Sequence, residues 1–365
     1  MTVAVVGGGV VGMLSAYLLA KHGLDVVVLE RQGMGSESSW AGGGIVSPLY
    51  PWRYNEAVAA LAGQSMTSYG LYAEELLTVT GVDSELYACG LHWLDLDDCM
   101  QAREWMRSHG FSCFELNSDQ LASALPGLGG VFAGSLFSPD LANIRNPKLL
   151  KALRAALGQM VNVRLLERQA VRGVVLQSGR VAGVITASDT IPADCVVVAA
   201  GAWSGELLAT LGLYLPVEPV KGQMILYKCE LDYLPAMVLA EGRYAIPRRD
   251  GHVLVGSTLE HVGFDKTPTG EARASLKASA EKMLPGLAQR EVVGHWAGLR
   301  PGSPDGVPFI GEVPELPGLW LNCGHYRNGL VLAPASCELL KNLMLGETPI
   351  VDPAPYSPVG RLRAL

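Results

Sequence analysis

The chain opens on an unbroken apolar run, Thr2–Val6, the pattern of a strand covered on both faces in a parallel sheet. From Val10 to His22 apolar residues recur at helical spacing until Gly23 stops them, and Asp25–Leu29 is a second continuous run. The opening therefore predicts a β-α-β unit. A loop rich in Gly and Ser follows from Gly33 to Gly44, and Asn55–Thr80 has the periodicity of one long helix or two shorter ones. Between Leu86 and Asp140 the pattern breaks into aromatics, short apolar runs and the interruption Pro126–Gly130, as in a separate mixed module. Pro147–Leu157 predicts a helix with proline near its first turn. Short-spaced strands follow at Val161–Leu166, Val171–Gln177, Val181–Thr186 and Asp194–Ala199, with a hairpin turn at Gln177–Gly179. From Val217 to Val293, strand-like runs at Met224–Tyr227, Tyr244–Pro247 and Val253–Ser257 accompany one helix at Gly270–Met283, which predicts an antiparallel sheet flanked by helix. Gly318–Gly324 and Gly329–Met344 then return to strand, tight turn and helix.

The outer segments share one grammar and the inner ones another, so the fold class expected is α/β plus α+β. A discontinuous Rossmann-type cofactor domain (1–85, 141–216 and 295–365) receives an inserted substrate domain (86–140 and 217–294) on a mainly antiparallel sheet. A chain of 365 residues, about half of them apolar, is long enough to bury two such cores. Its net charge of −7 argues against a polyanion-binding face, so nucleic acid is not an expected partner. The seven cysteines are dispersed, odd in number and never spaced CxxC, which suggests buried free thiols in a reducing cytoplasm and no metal site. The amino terminus lacks a basic n-region, and no stretch approaches the roughly 20 apolar residues of a membrane span, so a soluble protein without a targeting segment is expected.

Candidate chemistry begins at Gly7-Gly8-Gly9-Val10-Val11-Gly12, a GxGxxG motif between a strand and a helix, with Glu30 ending the next strand. Glycines let a pyrophosphate approach the helix N-terminus, and a carboxylate at Glu30 can accept from ribose hydroxyls. The motif alone does not choose among dinucleotides. Arg31, Ser38, Ser39, Gly43, Gly44 and Ile45 lie in the loop after that acid, where hydroxyls and bare backbone could meet a pyrophosphate or a flavin edge. Val196–Ser204 is a buried strand ending in the small-residue turn that holds Gly201 and Trp203. Gly324-His325-Tyr326-Arg327-Asn328-Gly329-Leu330 precedes the last helix and offers a second helix N-terminus to negative charge.

Together with RYAIPR at 243–248, VGSTL at 255–259, HWAGLRPGSPDGVPFIG at 295–311 and GHYRNGLVLAPA at 324–335, these segments make the chain resemble, nearly end to end, the glycine oxidase and D-amino acid oxidase family of FAD enzymes. The resemblance implies non-covalent FAD and oxidation of a small amino acid, glycine first and sarcosine or short D-amino acids next. The product would be an imine that water hydrolyses, with oxygen as acceptor and hydrogen peroxide formed. It further implies that Tyr244 and Arg300 hold the substrate carboxylate, that Arg327 lies beside substrate and flavin, and that Val171 touches the adenine side. A link to thiazole formation in thiamine synthesis and a homo-oligomeric state are expected by family analogy alone. The chemistry is consistent with these roles: a guanidinium pairs bidentately with a carboxylate, a phenol adds a donor, and the cofactor carries the redox step. His325 reads as a packing residue of the flavin loop.

Three features depart from the family pattern. Trp296-Ala297-Gly298 stands where related sarcosine oxidases carry a flavin-linking cysteine, and Cys323 lies in a different segment. Leu259 replaces a methionine, which should keep an apolar wall of similar volume. The aromatic, proline-rich segment Ser47–Tyr54 has no family counterpart and is a candidate for lining the cavity or its entrance. The alternatives are a dehydrogenase of the same fold that passes electrons to a quinone, an NAD-dependent dehydrogenase, and a non-catalytic flavoprotein subunit.

Overall fold

The computed structural model describes residues 1–365. Its first sheet has the order Phe309–Glu312, Leu319–Cys323, Cys195–Val198, Thr2–Val6, Asp25–Glu30, Val163–Glu167, all parallel except the edge strand Phe309–Glu312. The apolar runs are continuous because both faces are covered. Val3, Val5, Val26, Val28 and Val197 face the helices Val10–Lys21, Glu56–Thr80, Asn146–Gly158 and Gly329–Leu345. Ala4, Val6, Val27, Leu29, Val196 and Val198 face a three-stranded antiparallel meander, Gly173–Gln177, Arg180–Ile185 and Thr190–Pro192. Glu56–Thr80 is one helix, capped by Asn55 Oδ1 accepting from Ala57 N at 2.9 Å and ended by Gly81 at φ 70°.

The second large sheet has eight strands in the order Glu291–Gly302, Glu218–Lys228, His252–Gly256, Arg243–Pro247, Met237–Ala240, Leu91–Leu94, Gly134–Ser138, Phe114–Asn117. All neighbours are antiparallel except Met237–Ala240 beside Leu91–Leu94. Alternation sorts the two faces: Ile225, Tyr227, Ala245, Val253 and Val255 pack under the helix Gly270–Met283, whereas Met224, Tyr244, Ile246 and Leu254 turn the other way. That second face looks toward the loops at the carboxyl ends of the parallel strands.

Strand Glu291–Gly302 stays paired with Glu218–Lys228 along its whole length. A division at residue 295 would cut this strand, because its pairing with Glu218–Lys228 continues to Gly302; we place the return to the cofactor unit after Gly302. No helix is long and apolar enough to cross a membrane. All seven cysteines are free, with Cys229, Cys323 and Cys337 buried and the other four only partly so.

Candidate active site

One cavity of about 570 Å³ runs from the opening glycine loop to the second sheet. At its cofactor end Gly9 caps the helix Val10–Lys21 with no side chain of its own to accept from the first turn, leaving helix donors beyond Val10 for an anion. Gly7 packs on the Ala199 carbonyl so closely that a Cβ would overlap it, and Val10 N donates to Ser39 Oγ at 3.0 Å. Val11, Ser38, Gly43, Gly44, Ile45, Val171, Gly201 and Leu330 also line this wall. Glu30 is buried and accepts from Gly8 N and Gln32 N, both at 2.8 Å, so its carboxylate fixes the glycine loop while lining the cavity. Arg31 extends its guanidinium 3.5 Å over the Trp203 ring and pairs with Glu37 at 2.6 Å.

Gly12 alone among the residues expected to hold the cofactor does not line the cavity. A Cβ there would overlap the Gly7 carbonyl, so this glycine permits close packing of helix on strand.

The last helix contributes a second uncapped N-terminus at Gly329. The turn before it holds Tyr326 at φ 48°, a conformation an L residue adopts only under constraint, beside Gly324, Arg327 and Asn328 on the cavity wall. Asn328 Nδ2 is buried there with no partner, an orphaned donor suited to a ring carbonyl or nitrogen. His325 turns inward, its Nε2 2.7 Å from Ser336 Oγ, and burial pushes its pKa down to about 3. It stays neutral and packs the loop. Cys323 reaches the same wall, but burial pushes its thiol up to about 12. The glycine cradle, the uncapped helix ends and the orphaned Asn328 donor fit a bulky anionic dinucleotide with a polar ring, as FAD is.

At the other end, Arg300 donates from Nη1 to Thr258 O at 3.1 Å and from Nη2 to Ser257 Oγ at 2.6 Å, and no carboxylate pairs with it. Burial pulls its pKa below the ordinary arginine value, though Tyr244 opposes this shift and Arg327 adds to it. The guanidinium lies across Gly222, where a Cβ would collide with both terminal nitrogens. Gly256 opens a matching space: it sits between Met224 and Tyr244 on neighbouring strands, and a Cβ there would overlap the Met224 sulfur. Tyr244 is buried, and its hydroxyl meets only Met224 Sδ, at 3.4 Å, so its donor is available to a ligand. Arg327 is exposed at the cavity wall.

Gly222, Met224, Gly256, Ser257 and Thr258 were not singled out by sequence reasoning. Their role depends on cross-strand register: VGSTL at 255–259 carried the family resemblance without a site role, and nothing marked Gly222 or Met224. Leu259 does not form the expected apolar wall: it is 46% exposed and lies off the cavity, on the stretch between the strand end at Gly256 and the bridge of Glu260 to Lys221. Within the aromatic segment, Ser47 and Leu49 line the cavity, and Leu49, Tyr50 and Trp52 are tied to residues in and around the second sheet. Trp93 Nε1 donates to Leu49 O at 2.7 Å, Gly242 N to Tyr50 Oη at 3.2 Å, and Trp52 Nε1 to Asp98 Oδ2 at 2.7 Å.

Comparison with known proteins agrees with this geometry. The family model described as FAD dependent oxidoreductase (DAO) matches residues 2–343. The chain is similar to the glycine oxidases of Pseudomonas aeruginosa PAO1 and Pseudomonas putida KT2440, each 59% identical over 360 residues and 99% of both chains. It is also similar to the bifunctional protein ThiO/ThiG of Synechocystis, 32% identical over 94% of this chain and 52% of that one. The crystal structure of glycine oxidase from Geobacillus kaustophilus superposes with a TM-score of 0.92 at 32% identity, covering 97% of each chain. By sequence, by fold and by the form of its cavity, the chain belongs to the FAD-dependent oxidoreductase family.

Proposed function

We propose that this enzyme oxidises the amine of a small amino acid, with glycine preferred and sarcosine and short D-amino acids next. The observation that carries the reading is Arg300, a half-buried cation without an acid partner, beside a Tyr244 hydroxyl whose only hydrogen-bond partner is a thioether. An unpaired charge partly withdrawn from water carries a desolvation cost, and an incoming carboxylate offsets it. Arg300 takes the carboxylate through two parallel N–H donors and Tyr244 adds a third donor, fixing the Cα–H direction. Met224 and Tyr244 line the cavity with Arg300, and Arg327 at the wall adds positive charge. When bound along the glycine loop and the Gly324–Leu330 turn, FAD supplies the two-electron acceptor for the Cα hydride.

The residues near Arg300 hold no strong base, as suits loss of hydride from a neutral amine. The product is an imine, which water hydrolyses to an oxo acid and ammonia or an amine, with oxygen reduced to hydrogen peroxide. The 59% identity to two glycine oxidases supports the substrate order. We place the enzyme in the cytoplasm, a reading supported by its seven free cysteines. We also place its product upstream of thiazole formation in thiamine synthesis, supported by the ThiO/ThiG relative.

The test is an anaerobic visible-spectrum titration with glycine, sarcosine, D-alanine and D-proline, followed by air. Bleaching by glycine at the lowest concentration, reversed by air with peroxide formed, is the expected result. A flavin that bleaches but stays reduced in air indicates a quinone-coupled dehydrogenase, and a flavin that none of the four bleaches overturns the reading.

A further inference from the structure

After Gly256 the chain delivers Ser257 and Thr258 to Arg300, then leaves the eight-stranded sheet and re-enters regular structure only at Gly270. This strap is rooted on one strand. Lys221, 1% exposed, exchanges backbone hydrogen bonds of 2.9 and 3.0 Å with Glu260, and its Nζ lies 3.5 Å from Glu260 Oε2 and 3.6 Å from Asp265 Oδ2. Gln223 holds both ends, donating to Glu260 Oε1 and accepting from Thr269 N, each at 2.9 Å. Arg243 Nη1 adds a bond to the Ser257 carbonyl.

Between these roots the strap crosses to the cofactor unit. The Phe264 ring stacks on Trp203 with centroids 5.5 Å apart and planes 28° apart, and Lys266 Nζ reaches Glu37 Oε2 at 2.8 Å. Glu37 also holds Arg31, and Arg31 covers Trp203. Arg31, Glu37 and Trp203 line the cavity near Glu30, whereas Phe264 and Lys266 do not.

We propose that Phe264 and Lys266 are cofactor-retention residues, which act by clasping Trp203 and Glu37 and so holding Arg31 in place. With Glu37 alone, Arg31 would be neutralised; with Lys266 added, the three charges sum to one positive beside the binding site of an anionic dinucleotide. Phe264 restricts Trp203, removing rotamer freedom that FAD binding would otherwise have to freeze. The clasp is small and its aromatic ring is 40% exposed, so it opens by local fluctuation while the backbone bridge of Lys221 to Glu260 stays closed.

The test measures FAD binding to apoprotein by quenching of flavin fluorescence and does not depend on turnover. Phe264→Ala is expected to raise Kd roughly five- to tenfold. Lys266→Met is expected to raise it about threefold, with Lys266→Arg restoring near wild-type affinity. The increase should lie in the dissociation rate. Val262→Ser, at an exposed position of the same strap, should bind FAD as the wild type does. The apoprotein melting temperature should be the same in all five proteins, which separates retention from general loosening. Unchanged FAD affinity in both Phe264→Ala and Lys266→Met overturns the proposal, as does an affinity loss accompanied by a parallel fall in apoprotein melting temperature.

Discussion

Gly222 and Arg300 occupy one volume: the guanidinium lies where any side chain at residue 222 would begin. The absence of a Cβ on one strand is thus as much a part of the anion site as the arginine on its neighbour. Gly222→Ala should displace the guanidinium from Ser257 and Thr258 and raise the KM for glycine about tenfold or more, since a misplacement of ~1 Å is enough to disrupt binding. Steady-state kinetics beside an unchanged flavin spectrum checks this. An unaltered KM would show that the guanidinium can bind from another position.

Arg300 itself should matter more. Arg300→Met removes the cation that would pair with the substrate carboxylate, and kcat/KM for glycine should fall on the order of 10²–10³-fold. Arg300→Lys should recover only part of that loss, because an ammonium cannot reproduce the two parallel donors. The same order should appear in the dissociation constants of simple carboxylates such as acetate, read from flavin spectral shifts.

Tyr244→Phe should lower kcat/KM about tenfold by removing one hydrogen bond to a charged ligand. Melting temperature should stay close to that of the wild type, because the hydroxyl touches only a thioether. A large loss of stability would mean that the phenol is structural.

Two glycines of one motif should behave differently. A Cβ at Gly9 would stand 3.0 Å from Ser39 Oγ on the cavity wall, so Gly9→Ala should weaken FAD binding while the apoprotein melts normally. A Cβ at Gly12 would overlap the Gly7 carbonyl inside the helix–strand contact, so Gly12→Ala should destabilise the apoprotein itself, by about 1–3 kcal/mol. Calorimetry of the apoproteins alongside FAD titration tells the two apart.

Acid should destabilise the fold before most carboxylates titrate. Burial pushes His325 down to about 3 and His92 down to about 4, against 6.5 for a free histidine. Below pH 6.5 the unfolded chain takes up protons that the folded chain refuses, so stability present above that pH is lost as it falls toward 4. Each histidine contributes a slope of ~1.4 kcal/mol per pH unit at most. Denaturant unfolding between pH 7 and 4.5 should show the decline, and His92→Gln should reduce it by about half. A flat profile would place both rings in contact with water.

Much of this architecture was legible because hydrophobic pattern and glycine spacing are local. The helix at Gly270–Met283 was bounded to the residue by its pattern, with Thr269 found as its cap in the structure, and the strands of the parallel sheet read as apolar runs because both faces are buried. Gly222 and Gly256 could not be read as site residues, since their meaning comes from what lies on the adjacent strand. Lys221 was equally silent: nothing in the sequence marks a lysine that will be 1% exposed and paired with acids 39 and 44 positions away. Leu259 was misplaced because a like-for-like volume argument says nothing about where the chain leaves the sheet. The end of Glu291–Gly302 was missed because the pattern does not show which sheet a strand joins.

The placing of the first strand has a consequence for biosynthesis. Thr2–Val6 is paired on one side with Asp25–Glu30, made almost at once, and on the other with Cys195–Val198, which in turn needs Leu319–Cys323. A ribosome must therefore carry the glycine loop through most of translation with one bare, sticky edge. Nascent chains stalled before Cys195–Val198 should depend on chaperones and be prone to precipitate. Slow synthesis of the middle of the chain should cost more soluble enzyme than slow synthesis after Leu319–Cys323 has emerged.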